Sequence, residues 1–168
     1  MIKAMILSAG FGKRLRPLTD NCPKSLLKIG EETLLSNTMN FLQQFGTRQV
    51  VINVHYLSEQ IIEYINKKNF NLDITIVDEK EKILDTGGGI LNAISHFNES
   101  FLCINPDTVW NSYYIQELKR MEYEFSLKEK KCYMLVVDKE KSFDKNFKGD
   151  FNLKKNLINR KDKDNLKY

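Results

Sequence analysis

The feature that most constrains this chain is its start. An apolar run, Ile2–Ser8, leads directly into the loop Leu7-Ser8-Ala9-Gly10-Phe11-Gly12-Lys13-Arg14-Leu15-Arg16. Such a run reads as a strand covered on both faces, which calls for helices above and below a mostly parallel sheet. In open α/β sheets ligands bind beyond the carboxyl ends of the strands, where this loop would lie. Its glycines let backbone N–H groups approach phosphate oxygens and form an anion nest. Two familiar glycine patterns fail here. The dinucleotide fingerprint needs a third glycine or an alanine where Leu15 stands, and the Walker pattern also needs glycine at that position. The loop instead supplies Lys13, Arg14 and Arg16, with Lys24 after Pro23. Four cations beside a glycine turn suit a triphosphate that loses pyrophosphate.

Downstream, strand-like and helix-like segments alternate. Ser25–Ile29 reads as a short extended piece. Apolar residues at helical spacing predict a helix over Thr33–Phe45, with Gly46 at its C-cap. Gln49–Val54 is a second clear strand. Ser58 is placed to cap a helix carrying Ile61, Ile62 and Ile65. Leu72–Val77 and Phe101–Ile104 read as strands, and Thr86 as the cap of a helix over Gly87–Phe97. A helix is expected from Asn111 to about Phe125 and a further strand over Lys131–Val137. No internal repeat is visible.

Composition excludes several classes. No apolar run in the 168 residues reaches the roughly 18 residues that a membrane helix needs. The first residues read as a buried strand and not as a signal peptide, so a cytoplasmic location is expected. Cys22, Cys103 and Cys132 form no CxxC pair, so zinc and redox motifs get no support, and His55 and His96 lack ligand spacing and read as structural. The net charge of +4 is unevenly placed: residues 139–168 carry ten Lys or Arg against five Asp or Glu, and residues 1–138 carry sixteen against seventeen. A basic excess confined to the tail argues for a solvated segment and against a nucleic-acid surface.

Two further motifs carry chemistry. Asp85-Thr86-Gly87-Gly88-Gly89 opens a helix with three glycines, each costing about 1 kcal/mol in a plain helix; close approach of a flat ligand would justify them. Asn105-Pro106-Asp107 ends a buried strand. There a carboxylate is placed to hold Mg²⁺ together with phosphate oxygens, or else to cap the next helix.

The segment Leu7–Thr19, followed by Pro23-Lys24-Ser25-Leu26, resembles the signature of the sugar-1-phosphate nucleotidyltransferase family. The resemblance implies a Rossmann-like three-layer α/β/α fold with a mostly parallel, mixed central sheet. It implies a nucleotide site formed by Leu7, Ala9, Gly10, Phe11, Gly12, Lys13, Arg14, Lys24, Thr86, Gly87, Gly88 and Asn105, with Thr86–Gly88 facing the base. Arg14, Lys24 and Asp107 would be catalytic, and Asp107 would hold Mg²⁺. Where the family usually has glycine, this chain has Pro106, whose fixed φ excludes a left-handed backbone there. Leu135-Val136-Val137-Asp138 and Lys148-Gly149-Asp150-Phe151 resemble one branch, the N-acetylmuramate-1-phosphate uridylyltransferases of cell-wall recycling. That branch implies a sugar site at Gly88, Asp138 and Gly149.

The expected activity is transfer of a nucleoside monophosphate from a nucleoside triphosphate to a sugar 1-phosphate. UTP and N-acetylmuramate 1-phosphate are the expected pair. Mannose 1-phosphate with GTP, glucose 1-phosphate with TTP or UTP, and a nucleotide-binding module without catalysis stand as alternatives. The resemblance runs from Ile2 to about Asn152, so residues 1–152 are expected to form an incomplete nucleotidyltransferase domain and 153–168 a basic, weakly structured tail. Family members continue with a second metal-binding aspartate, which Asp162 and Asp164, in an apolar-poor segment, do not supply.

Overall fold

The computed structural model describes residues 2–80, 82–127, 132–142, 146 and 149–159. It divides into two units, residues 1–119 and 120–168.

The first unit is built on β1 (Lys3–Ser8), β2 (Lys28–Ile29), β3 (Glu32–Thr33), α1 (Leu34–Phe45), β4 (Gln49–Val54), α2 (Ser58–Lys68), β5 (Asp73–Asp78), α3 (Asp85–Ala93), β6 (Phe101–Ile104) and the start of α4 (Tyr113–Leu127). Four strands form one sheet in the order β5-β4-β1-β6, every pair parallel. The steps β1→β4→β5 run one way across the sheet and β5→β6 returns past β1. Right-handed crossovers therefore put α1 and α2 on one face and α3 on the other. On the α3 face, Met5 and Val51 pack with Ala93 and Phe97, joined by Leu7, Val77, Ile90 and Phe101. The alternate residues Ala4, Ile6, Val50, Ile52 and Val54 are equally buried. Burial on both faces is why β1 and β4 are apolar at nearly every position.

Helix α1 starts and stops as its sequence predicts. Thr33 caps it, accepting the Ser36 N–H at 3.0 Å, and also donates to the Tyr64 hydroxyl at 2.9 Å. Gly46, at φ 102, ends it and bonds back to the carbonyls of Leu42 and Gln43. Replacing Thr33 with alanine removes both contacts and is expected to cost about 1–2 kcal/mol in chemical denaturation, most of it kept by serine. An unchanged midpoint for Thr33→Ala would contradict this account of the cap.

The other two cap expectations need correction. Ser58 is the first residue of α2 and not its cap. His55 accepts the Ser58 N–H at 3.3 Å, a turn that leaves Leu57 at the N-cap position with φ 51. Thr86 lies inside the first turn of α3, whose N-cap is Leu84. Residues 24–29 are also not simply extended: a 3-10 turn, Lys24–Leu26, precedes β2, which pairs with β3.

In the second unit, Cys132–Asp138 forms no strand among the described residues. The apolar pattern there is strand-like, but a strand persists only where its N–H and C=O groups find a ladder partner. Asp138 instead caps a 3-10 turn, Lys139–Lys141, accepting the Glu140 N–H at 3.0 Å. Residues beyond it form an antiparallel ribbon, β7 (Asn152–Lys154) and β8 (Leu157–Asn159). Its two-residue turn, Lys155-Asn156, has positive φ at both positions, the hairpin geometry matching strand twist. Asp162 and Asp164 lie outside the described residues.

Candidate functional site

The loop after β1 is ordered by its own contacts. Thr19, fully buried, donates its hydroxyl to the Gly12 carbonyl at 2.9 Å. The Tyr56 hydroxyl lies 3.0 and 2.8 Å from the carbonyls of Thr19 and Asp20, and Gln60 donates to the Asn21 carbonyl at 3.2 Å. Thus α2 and the end of β4 clamp a segment whose composition alone reads as a polar loop. Gly12 sits at φ 64, where the chain turns back on itself. An added Cβ on Gly10 would meet nothing within 4 Å, so that backbone faces open space.

A cavity of about 120 Å³ opens at the carboxyl ends of β1 and β6. It is lined by Leu7, Ser8, Gly10, Lys24, Ser25, Asn105, Pro106 and Asp107. The parallel pairing of β1 with β6 brings residues 83 positions apart together at its mouth, where the Lys24 ammonium ion-pairs with the Asp107 carboxylate. The partner loop is held by α1. Trp110 stacks on Phe41 at 5.1 Å, its N–H donates to Asn37, and its indole donates to the Asn105 carbonyl. The Ser8 and Ser25 hydroxyls, both buried, have no hydrogen-bond partner among the described residues. Both residues line the cavity.

The four loop cations divide. Lys13 lies over the Phe11 ring at 5.1 Å, and Phe11 packs against His55 and Tyr56. Arg16 pairs with Asp20 at 3.2 Å. Arg14 is exposed and has no ion pair with a described residue. Of the four, Lys24 is the one that lines the cavity. Burial pushes the Cys22 thiol up.

Thr86, Gly87 and Gly88 do not line this cavity. They open α3, where Thr86 and Gly87 are exposed and an added Cβ on Gly87 would meet nothing. Gly89 has a different reason: a Cβ there would come within 2.6 Å of Asn53 Nδ2 and 2.7 Å of Glu79 Oε1. Asp138 and Gly149 belong to the second unit. Sequence reasoning passed over Ser8, Ser25, Asn53 and Glu79. Asn53 carried a signal, being a polar residue inside the apolar strand Gln-Val-Val-Ile-Asn-Val, where burial demands a partner. Glu79 carried none.

The sequence profile of the family described as Nucleotidyl transferase matches residues 3–147. The chain belongs to that family. It is 33% identical over 111 residues to the N-acetylmuramate alpha-1-phosphate uridylyltransferase of Caulobacter vibrioides, covering 64% of this chain and 46% of the relative. The protein of the same name from Neisseria meningitidis serogroup B is 36% identical over 110 residues, covering 64% and 48%. The chain thus spans about half the length of these curated relatives. Among solved structures, HddC from Yersinia pseudotuberculosis complexed with GMP-PN superposes with TM-score 0.63 at 29% identity, over 71% of this chain and 54% of that one. The nucleotidyltransferase fold expected from the sequence is therefore present, with its described central sheet wholly parallel.

Proposed function

We propose that this family member transfers a nucleoside monophosphate from a nucleoside triphosphate to a sugar 1-phosphate. The observation that carries the reading is the Lys24–Asp107 pair at the mouth of a cavity whose other wall is the start of the glycine loop. A phosphate oxygen of the sugar 1-phosphate forms a bond to the α-phosphorus while the bond to the β-phosphate oxygen breaks, releasing pyrophosphate. The nucleophile is already an anion, so no general base is needed. Catalysis is then positioning plus neutralisation of charge. Arg14 and Lys24 supply that charge, while Leu7, Ala9–Lys13 and Asn105 shape the triphosphate side.

The donor set fits Mg²⁺. Mg²⁺ characteristically takes one or two carboxylates plus substrate phosphates, and Asp107 is the carboxylate among the residues lining the cavity. Asp107 would hold it, with the Ser8 and Ser25 hydroxyls nearby. Bound there, Mg²⁺ would neutralise phosphate charge as a Lewis acid. In the structure the Lys24 ammonium ion-pairs with the Asp107 carboxylate.

The two uridylyltransferase relatives support UTP and N-acetylmuramate 1-phosphate as the pair. A cytoplasmic location goes with those substrates. Among the described residues no helix is long and apolar enough to cross a membrane.

The test is a panel of nucleoside triphosphates against N-acetylmuramate, mannose and glucose 1-phosphates, read by pyrophosphate release with Mg²⁺. Fastest release with UTP and N-acetylmuramate 1-phosphate is expected. A faster GTP–mannose 1-phosphate pair would reassign the substrates. Triphosphate binding without release would leave a nucleotide-binding module, and absence of triphosphate binding would overturn the reading.

A further inference from the structure

A buried polar chain connects the two loops assigned above to the nucleotide. The Ser8 N–H donates to Asn53 Oδ1 at 3.0 Å, Asn53 Nδ2 donates to Glu79 Oε1 at 2.7 Å, and the Leu84 N–H donates to Glu79 Oε2 at 2.8 Å. Asn53 is 3% and Glu79 7% exposed. Among the described residues no cation pairs with Glu79. Burying a carboxylate is expensive unless both oxygens are satisfied, and here both accept a hydrogen bond.

The direction of every bond is forced. The Ser8 N–H needs an acceptor and takes the Asn53 carbonyl oxygen, leaving only the amide N–H₂ for Glu79. Position 79 must then accept twice, from Asn53 and from the Leu84 N–H. A carboxylate accepts at both ends, whereas glutamine has one acceptor and would turn an N–H₂ toward another donor.

One end of the chain lies where the glycine loop begins and the other where α3 begins. Ser8 directly precedes Ala9–Arg14. Leu84 directly precedes Asp85-Thr86-Gly87, where Asp85 takes φ 55 as the backbone enters α3. Gly89 completes the arrangement, since any side chain there would strike both Asn53 and Glu79. The third glycine of the triplet thus lets α3 rest on the pair, while Gly87 stays open.

We propose that Asn53 and Glu79 are positioning residues that hold the phosphate-side loop and the base-side loop at a fixed separation for one nucleotide to span both. The inference rests on the nucleotide reading above. It makes a demand that a purely stabilising network does not: loss of the pair should weaken a ligand touching both loops and spare one touching only the first.

Calorimetric binding of UTP and of inorganic tripolyphosphate, with melting temperature, tests it on the wild type, on Glu79→Gln, and on Asn53→Asp combined with Glu79→Gln. In the double variant the carboxylate at position 53 accepts from the Ser8 N–H and from the amide at position 79, whose oxygen accepts from the Leu84 N–H, so the chain is rebuilt in reverse. Glu79→Gln should bind UTP about tenfold more weakly, the coupling expected within one hydrogen-bond network. Tripolyphosphate should change by less than about twofold, and the double variant should recover most of the UTP affinity. Equal loss for both ligands, or none for either, overturns the inference. Should Glu79→Gln not fold, the double variant decides: wild-type melting with UTP affinity still lost overturns it, and recovered affinity supports it. A wild type that binds neither ligand removes the nucleotide site and this inference together, whereas UTP binding unaffected by Glu79→Gln removes only the inference.

Discussion

Replacing Asp107 with alanine is expected to lower pyrophosphate release by about 10²- to 10³-fold, the range typical of losing one preorganised electrostatic contact to a transition state. Asp107 is the acidic side chain lining the cavity, so its removal leaves Mg²⁺ without a protein carboxylate there. Stability should change by no more than about 0.5 kcal/mol, because the carboxylate is exposed and its ion pair with Lys24 is solvent-screened. Asp107→Asn keeps the shape and removes the charge, and it should show most of the same loss with a raised Mg²⁺ requirement. Turnover within a fewfold of wild type at ordinary Mg²⁺ would dismiss Asp107 as the metal-holding residue. Lys24→Ala provides the complementary measurement: a fall in turnover with little change in Mg²⁺ requirement would separate the two roles.

Gly12→Ala is expected to damage nucleotide binding more than any other single methyl addition in the loop. At φ 64 a Cβ costs about 1–2 kcal/mol before any contact is considered. The new methyl would also lie 2.9 Å from Thr19 Cγ2 and 3.2 Å from Lys24 Cβ. Thr19 cannot give way easily: it is fully buried, and its hydroxyl is bonded to the Gly12 carbonyl. The displacement therefore falls on Lys24, and triphosphate affinity should drop at least about tenfold, the equivalent of 1.4 kcal/mol. Gly10→Ala is the control. Its Cβ meets no protein atom within 4 Å, so the fold should be indifferent, and weaker binding there would report contact with the ligand itself. Equal, small effects for both variants would mean that the Gly12 turn does not set the position of Lys24.

Local chemistry explains which parts of this molecule were legible beforehand. Strand β1 and its loop, the body of α1 and its stop at Gly46, and the end of β6 before Asp107 each depend on residues within a few positions of one another. Periodicity and turn preferences encode them directly. The failures were of a different kind. Ser58 lost the cap position of α2 because the preceding turn put Leu57 in a left-handed conformation. Cys132–Asp138 has strand composition and no strand. Neither outcome can be read from a segment alone, because each depends on where neighbouring backbone groups find partners.

The sequence by itself determined that a glycine-rich, basic loop follows a doubly buried strand, and so placed that loop at the carboxyl edge of a parallel sheet. Only the tertiary structure decided which groups meet there. It paired Lys24 with Asp107, set Ser8 and Ser25 in the wall of a cavity, and drew Lys13 and Arg16 away onto Phe11 and Asp20. It also explained one of three adjacent glycines by the buried Asn53–Glu79 pair rather than by a ligand. The physical reason is that hydrogen bonds and ion pairs between distant residues are chosen by sheet order and register, which the composition of no single segment contains.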